Sequence, residues 1–186
     1  FVILILSLNL FNDTSKMDLH SPYQNVSVKF NNNQLVPITV QSNNIWLQTP
    51  IDLSNEINQK KNSDWHKFYI IPFTSTNYNF KDILIVGSGT GNDVATAIRY
   101  SEGNIDAVEI DPLVANLGQK FHPENPYSNS RVNLIINDAR NFIKEIDKKY
   151  DLIVYSVLDS HANLSSKGGV RLDSYVYTVE SFYEAK

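Results

Sequence analysis

Acidic side chains recur in this sequence directly behind short apolar runs, a placing that lets carboxylates line one edge of a sheet. Glu109 and Asp111 follow Ile105–Val108, Asp138 follows Val132–Ile136, and Asp159 follows Leu152–Tyr155. A carboxylate at such a position can accept hydrogen bonds from a ribose diol or an exocyclic amine. The run Ile83–Val86 instead meets Gly87, Gly89 and Gly91, where the chain can turn sharply and a ligand can approach the backbone. Ligands of open parallel sheets bind at the carboxyl ends of the strands, so these places belong to one edge.

Glu109 lies 18 positions beyond Gly91, close to the distance at which a second strand brings an acid to a ribose. The glycine spacing separates classes of ligand. A dinucleotide fingerprint, G-x-G-x-x-G, would need glycine where Asn92 stands. The G-x-G-x-G that is present suits a nucleoside such as S-adenosylmethionine better than a pyrophosphate seated on a helix N-terminus. Asp138 is placed to accept from an adenine amine, and Ala139 offers backbone groups to the ring edge; Asp is also a favoured helix N-cap. The nucleoside contacts expected from this edge are Gly87, Gly89, Thr90, Gly91, Glu109, Asp138 and Ala139.

Positioning these groups requires a parallel sheet. Ile83–Val86 reads as a strand buried on both faces, with Asp93–Arg99 as the helix behind it. Ile105–Ile110, Val132–Ile136 and Leu152–Tyr155 read as further strands, separated by helices over 112–121 and 139–146. Asp111 and Pro112 supply the first of these helices with an N-cap and an opening turn. Strands alternating with helices imply right-handed crossovers and an α/β, Rossmann-like fold. Another helix is expected from Tyr177.

Ahead of this sheet, Tyr23–Phe30 alternates, Asn31–Asn33 turns, Leu35–Val40 returns and Ile45–Leu47 follows. That pattern is a small antiparallel unit of about three strands, too small to be stable alone. Residues 9–16 read as a linker and Asp52–Lys67 as a helix. The expected organisation is 1–18 for the apolar start and linker, 19–60 for the β unit, and 61–186 for the nucleoside-binding domain.

Composition bounds the function. The 186 residues carry a formal net charge of −4, which gives nucleic acid no electrostatic footprint. Cysteine is absent, which excludes disulfides, thiolate zinc sites and a cysteine nucleophile. Asp159 and His161 are too few to suggest a metal site. His20 and His122 read as surface or packing residues. The apolar start, Phe1–Leu6, is far shorter than the roughly 20 residues of a membrane span, and it reads equally as the end of one or as a strand. The chain lacks an initiator methionine and stops at Lys186 within a helical pattern, so a piece of a longer protein with C-terminal strands missing is expected.

The run from Ile83 through Asp138 to Tyr150-Asp151-Leu152-Ile153 resembles the spermidine synthase group of aminopropyltransferases, which have the class I methyltransferase-like fold. Tyr23-Gln24, Trp65-His66, Arg131-Val132 and Phe182-Tyr183 extend the resemblance over about Ser21 to Lys186. It implies that Gln24, His66, Glu109 and Asp138 touch the nucleoside or the amine. It also exposes two departures. The family loop G-G-G-D-G-G holds the ammonium of decarboxylated S-adenosylmethionine on its Asp, where this chain has Thr90, and Asp93 is an acid that could compensate. The family's D-x-x-D becomes Ser156-Val157-Leu158-Asp159, so Asp159 or His161 is expected to take the amine's proton.

Residues 158–166 and 171–178 resemble a divergent bacterial branch of spermidine synthase-like proteins, some with membrane-spanning segments ahead of this domain. The resemblance implies a cytoplasmic transferase domain, attached to a membrane if the apolar start ends a span. It would bind S-adenosylmethionine or its decarboxylated form as co-substrate and pass an aminopropyl group to an amine. Methyl transfer, and nucleoside or polyamine binding without turnover, stay open as alternatives, as does a homodimer.

Overall fold

The computed structural model describes residues 15–43, 45–156 and 176–185. The N-terminal strands β1 (Lys16–His20), β2 (Asn25–Phe30), β3 (Ile38–Ser42) and β4 (Ile45–Gln48) form an antiparallel sheet in sequence order. The sequence reading expected about three strands and a linker up to Lys16. The extra strand β1 pairs Met17 with Val28 and Leu19 with Val26, and it crosses the boundary drawn at residue 18. Only two apolar residues alternate in it, a signal too short to separate a strand from a polar connection. Helices α1 (Glu56–Lys61) and α2 (Ser63–Thr74) follow.

The second sheet contains β5 (Asp82–Val86), β6 (Asn104–Glu109), β7 (Val132–Ile136) and β8 (Leu152–Tyr155) in the order β7-β6-β5-β8, all parallel. Helices α3 (Asn92–Tyr100), α4 (Pro112–Phe121) and α5 (Ala139–Glu145) connect them, with a 3-10 turn at Pro126–Ser128 and a last helix, α6 (Val179–Glu184). The continuous apolar run of β5 has its expected consequence. Ile83 and Ile85 enter one core with Phe80, Val94 and Ile105, while Leu84 and Val86 enter another with Val108, Ala139 and Ile143. Burial of every β5 side chain from Ile83 to Val86 is what a strand covered on both faces requires.

The small sheet does not stand alone. Its inner residues Val26, Val28, Ile38 and Val40 bury themselves against Leu117, Leu113 and Phe121 of α4. That helix in turn abuts the turn after β5. A Cβ built on Gly118 would lie 2.4 Å from the Thr90 carbonyl oxygen, so helix and turn meet backbone to backbone. Gly118→Ala is expected to destabilise the chain by about 2 kcal/mol in chemical denaturation, because neither backbone can rotate away as a side chain would. An unchanged denaturation midpoint would mean that α4 slides freely on the turn.

Candidate active site

The turn after β5 is built for close approach. Gly87, Gly89 and Gly91 have φ of 73°, 58° and 106°, a left-handed run that only glycine enters without strain. The Gly87 and Ser88 N–H groups both donate to the Val108 carbonyl, at 2.8 and 2.9 Å, which pins the turn to the end of β6. Glu109 completes that junction. Its Oε2 accepts from Gly89 N at 2.8 Å and its Oε1 from Asp111 N at 2.9 Å. Burial pushes the Glu109 carboxyl upward, and the hydrogen bonds from Asp111 and Gly89 act against that. Gly89 and Glu109, expected to share a ligand, are therefore directly hydrogen-bonded to one another.

Asp111 carries the connection to the N-terminal sheet. One carboxylate oxygen caps α4 by accepting from Leu113 N, and the other accepts from Ser21 Oγ at 2.7 Å and Gln24 Nε2 at 2.9 Å. Gln24 thus reaches the acidic edge through Asp111. Asp138 occupies the N-cap of α5 and accepts from Asn141 N at 3.0 Å, with Ala139 buried behind it. Asn137 N donates to the Glu109 carbonyl, so the ends of β6 and β7 lie side by side.

Thr90 is tied to the N-terminal sheet. It is fully buried, and both its N–H and its hydroxyl donate to Gln48 Oε1, at 2.6 and 2.8 Å. Gln48, the last residue of β4, thereby lies across the glycine turn and would meet a Cβ on Gly89. Asn92 fastens the next stretch: its amide donates to the Thr49 carbonyl and to Tyr69 Oη, and its carbonyl accepts from Ile51 N. His122 donates to that same Asn92 carbonyl through Nε2, since its Nδ1 accepts from Glu124 N. Burial, and then the nearby Arg99 cation, hold His122 neutral with a pKa down to about 3. Tyr127 Oη completes the enclosure, 2.7 Å from the Gly89 carbonyl and 3.0 Å from Ser88 Oγ.

Gln48 and Asn92 are contacts that reading the sequence missed. The only local signal for Gln48 is a polar residue closing the apolar run Ile45–Leu47, and many strands end that way. His66 is not gathered at the turn. It bonds Tyr100 Oη at 2.8 Å, the last residue of α3, while the glycines precede the first. Burial and the Arg99 cation hold its pKa down. Asp159 and His161 lie outside the described residues. Among the described residues, no group of three or more His, Cys, Asp or Glu side chains could hold a metal ion, and no helix is long and apolar enough to cross a membrane.

A left-handed glycine turn sealed to the acid of the next strand, on a sheet ordered β7-β6-β5-β8, is the ligand edge of a Rossmann-like domain of the methyltransferase type. Comparison with known proteins narrows the class. The spermine/spermidine synthase domain profile matches residues 69–168, and the chain belongs to that family. The polyamine aminopropyltransferase of Clostridium perfringens (strain 13 / Type A) is 32% identical over 106 residues, covering 55% of this chain and 38% of that protein. The polyamine aminopropyltransferase of Buchnera aphidicola subsp. Acyrthosiphon pisum (strain APS) is 40% identical over 85 residues, covering 44% and 30%. This chain therefore spans well under half the length of these curated relatives.

Among solved structures, a spermidine synthase in complex with the transition state analogue AdoDATO superposes with a TM-score of 0.66 at 17% identity, over 91% of this chain and 52% of that one. Spermidine synthase from Thermotoga maritima gives 0.59 at 16% identity, over 75% and 46%. These likenesses establish the α/β fold with its small antiparallel sheet.

Proposed function

We propose that this chain carries the nucleoside-binding part of an aminopropyltransferase, with decarboxylated S-adenosylmethionine as co-substrate and an amine as acceptor. The observation that carries this reading is the family match over residues 69–168, which takes in the glycine turn and the strand ends after it. In such a transfer the amine nitrogen's lone pair attacks the carbon next to the sulfonium. The carbon–sulfur bond breaks, its electron pair stays on sulfur, the thioether 5′-methylthioadenosine leaves, and the proton that the attacking amine gives up would pass to Asp159 or His161 and on to solvent. Glu109 would accept from the ribose diol and Asp138 from the adenine amine, while Gln24 would steady Asp111 at the same edge. Holding nitrogen and carbon in line supplies much of the rate in a reaction of this kind.

The test is to incubate the full-length protein with putrescine and decarboxylated S-adenosylmethionine and assay for spermidine and 5′-methylthioadenosine. Formation of both in equal amounts is expected. S-Adenosylhomocysteine formed from the intact nucleoside would point to methyl transfer instead. Nucleoside binding with no product from either donor would point to a sensor, a reading that the absence of an acid at Ser156 favours.

A further inference from the structure

Asn92 stands where the family loop G-G-G-D-G-G ends in glycine, and its side chain is spent entirely inside the protein. A primary amide offers two donor hydrogens and two acceptor lone pairs. Asn92 Nδ2 donates to the Thr49 carbonyl and to Tyr69 Oη, both at 2.9 Å. Its Oδ1 accepts from Ile51 N and from His122 Nε2, both at 3.1 Å. All four capacities are used in a residue that is 3% exposed. The orientation of the amide is fixed as well. The Glu124 N–H donates to His122 Nδ1 at 3.1 Å, so the ring proton sits on Nε2 and faces Asn92 Oδ1. Turning the amide over would set its NH2 against two buried N–H donors.

These bonds secure the segment 48–51 at both ends. Thr49 and Ile51 are held by Asn92, while Gln48 Oε1 accepts from Thr90 N and Thr90 Oγ1. Tyr69 of α2 closes the circuit. Burial pushes its phenol upward, and hydrogen bonds from Asn92 and Gln48 act against that. The segment in turn sets the glycine turn. The neighbouring amides of Gly89 and Thr90 are held from two sides, the first by Glu109 of β6 and the second by Gln48 of β4. Asn92 is the first residue of α3, and its carbonyl accepts from Thr96 Oγ1, so the anchor belongs to a regular element.

We propose that Asn92, oriented by His122, is a positioning residue for the donor: it latches the segment 48–51 to α3 and so presets the glycine turn that receives the nucleoside. This rests on the nucleoside reading above and adds the device that holds that site in its binding shape. A turn already in that shape loses no affinity to reordering. With the latch gone, a segment that covers the turn about a tenth of the time lowers the apparent affinity about 10-fold.

Calorimetric titration of the full-length protein with 5′-methylthioadenosine, and hydrogen exchange of the ligand-free protein, test this together. Asn92→Ala is expected to bind the nucleoside about 10-fold more weakly and to exchange the Thr90 amide hydrogen faster. Thr90 is the telling position, because the substitution leaves its partner Gln48 in place. His122→Leu, which fills the space but offers no donor, is expected to weaken binding in the same direction. His122→Gln, which supplies one donor and one acceptor, is expected to keep the parent's affinity, a difference that packing alone would not produce. Parent-like affinity of Asn92→Ala, unchanged exchange at Thr90, or equal affinities of the two His122 variants each overturn the proposal. Failure of the parent to bind 5′-methylthioadenosine instead overturns the nucleoside reading, and exchange at Thr90 then decides the latch by itself.

Discussion

Glu109→Gln is expected to weaken binding of 5′-methylthioadenosine on the order of 100-fold, through loss of a charged acceptor for the ribose diol. The same substitution should lower stability by about 2 kcal/mol. Both Glu109 oxygens accept backbone N–H groups, from Gly89 and Asp111. A glutamine can offer an acceptor to only one of them and must turn its NH2 toward the other. Donor would then face donor in a site where the carboxylate is 8% exposed and water cannot easily intervene. Calorimetry and urea denaturation on the same preparation separate the two effects. A variant that loses stability but binds the nucleoside as the parent does would leave Glu109 as a brace for the glycine turn and remove it from the ribose.

The second large effect is a pH dependence of stability that belongs to Asp93. Burial raises its folded pKa to about 6, above the ordinary 3.8 of an aspartate, so the folded chain binds this proton more tightly than the unfolded chain. The cost of the charge is therefore absent below about pH 4, grows as the pH rises through the interval, and is fully present above about pH 6. Two pKa units correspond to roughly 3 kcal/mol. Asparagine mimics the protonated form, so the stability difference between Asp93→Asn and the parent should be near zero at pH 4 and rise to about 3 kcal/mol by pH 7. The groups facing Asp93 do not titrate in that window. The Tyr69 and Tyr127 phenols are pushed upward by burial, and Ser156 does not ionise. Denaturation midpoints measured across this range check the prediction, and a difference that does not change with pH would show that Asp93 is solvated or paired when folded.

Much of the sheet could be read directly from the sequence. Ile83–Val86 had to be buried on both faces because four consecutive apolar residues cannot be divided between a wet and a dry side. The spacing from Gly91 to Glu109 put an acid at the end of the next strand, and the structure bonds Glu109 to Gly89. Asp111 and Asp138 follow from N-cap chemistry, a local preference that needs no tertiary information. β1 escaped because two alternating apolar residues carry too little periodicity, and it is defined by pairing with β2.

What the sequence determined by itself was the local grammar of this protein: buried strands, glycines at positive φ, caps, and the family to which their arrangement belongs. The tertiary structure decided the partners of the polar groups. It tied Thr90 to Gln48 and Asn92 to Ile51, set His66 against Tyr100, and brought Asp93 beside Ser156, with 41 to 63 positions separating three of those pairs. Propensity and periodicity act over a few residues, whereas a buried carboxylate or hydroxyl is assigned its partner by the packing of whole elements. That is why the acids at the strand ends were legible from their spacing, and why the surroundings of Asp93 were not.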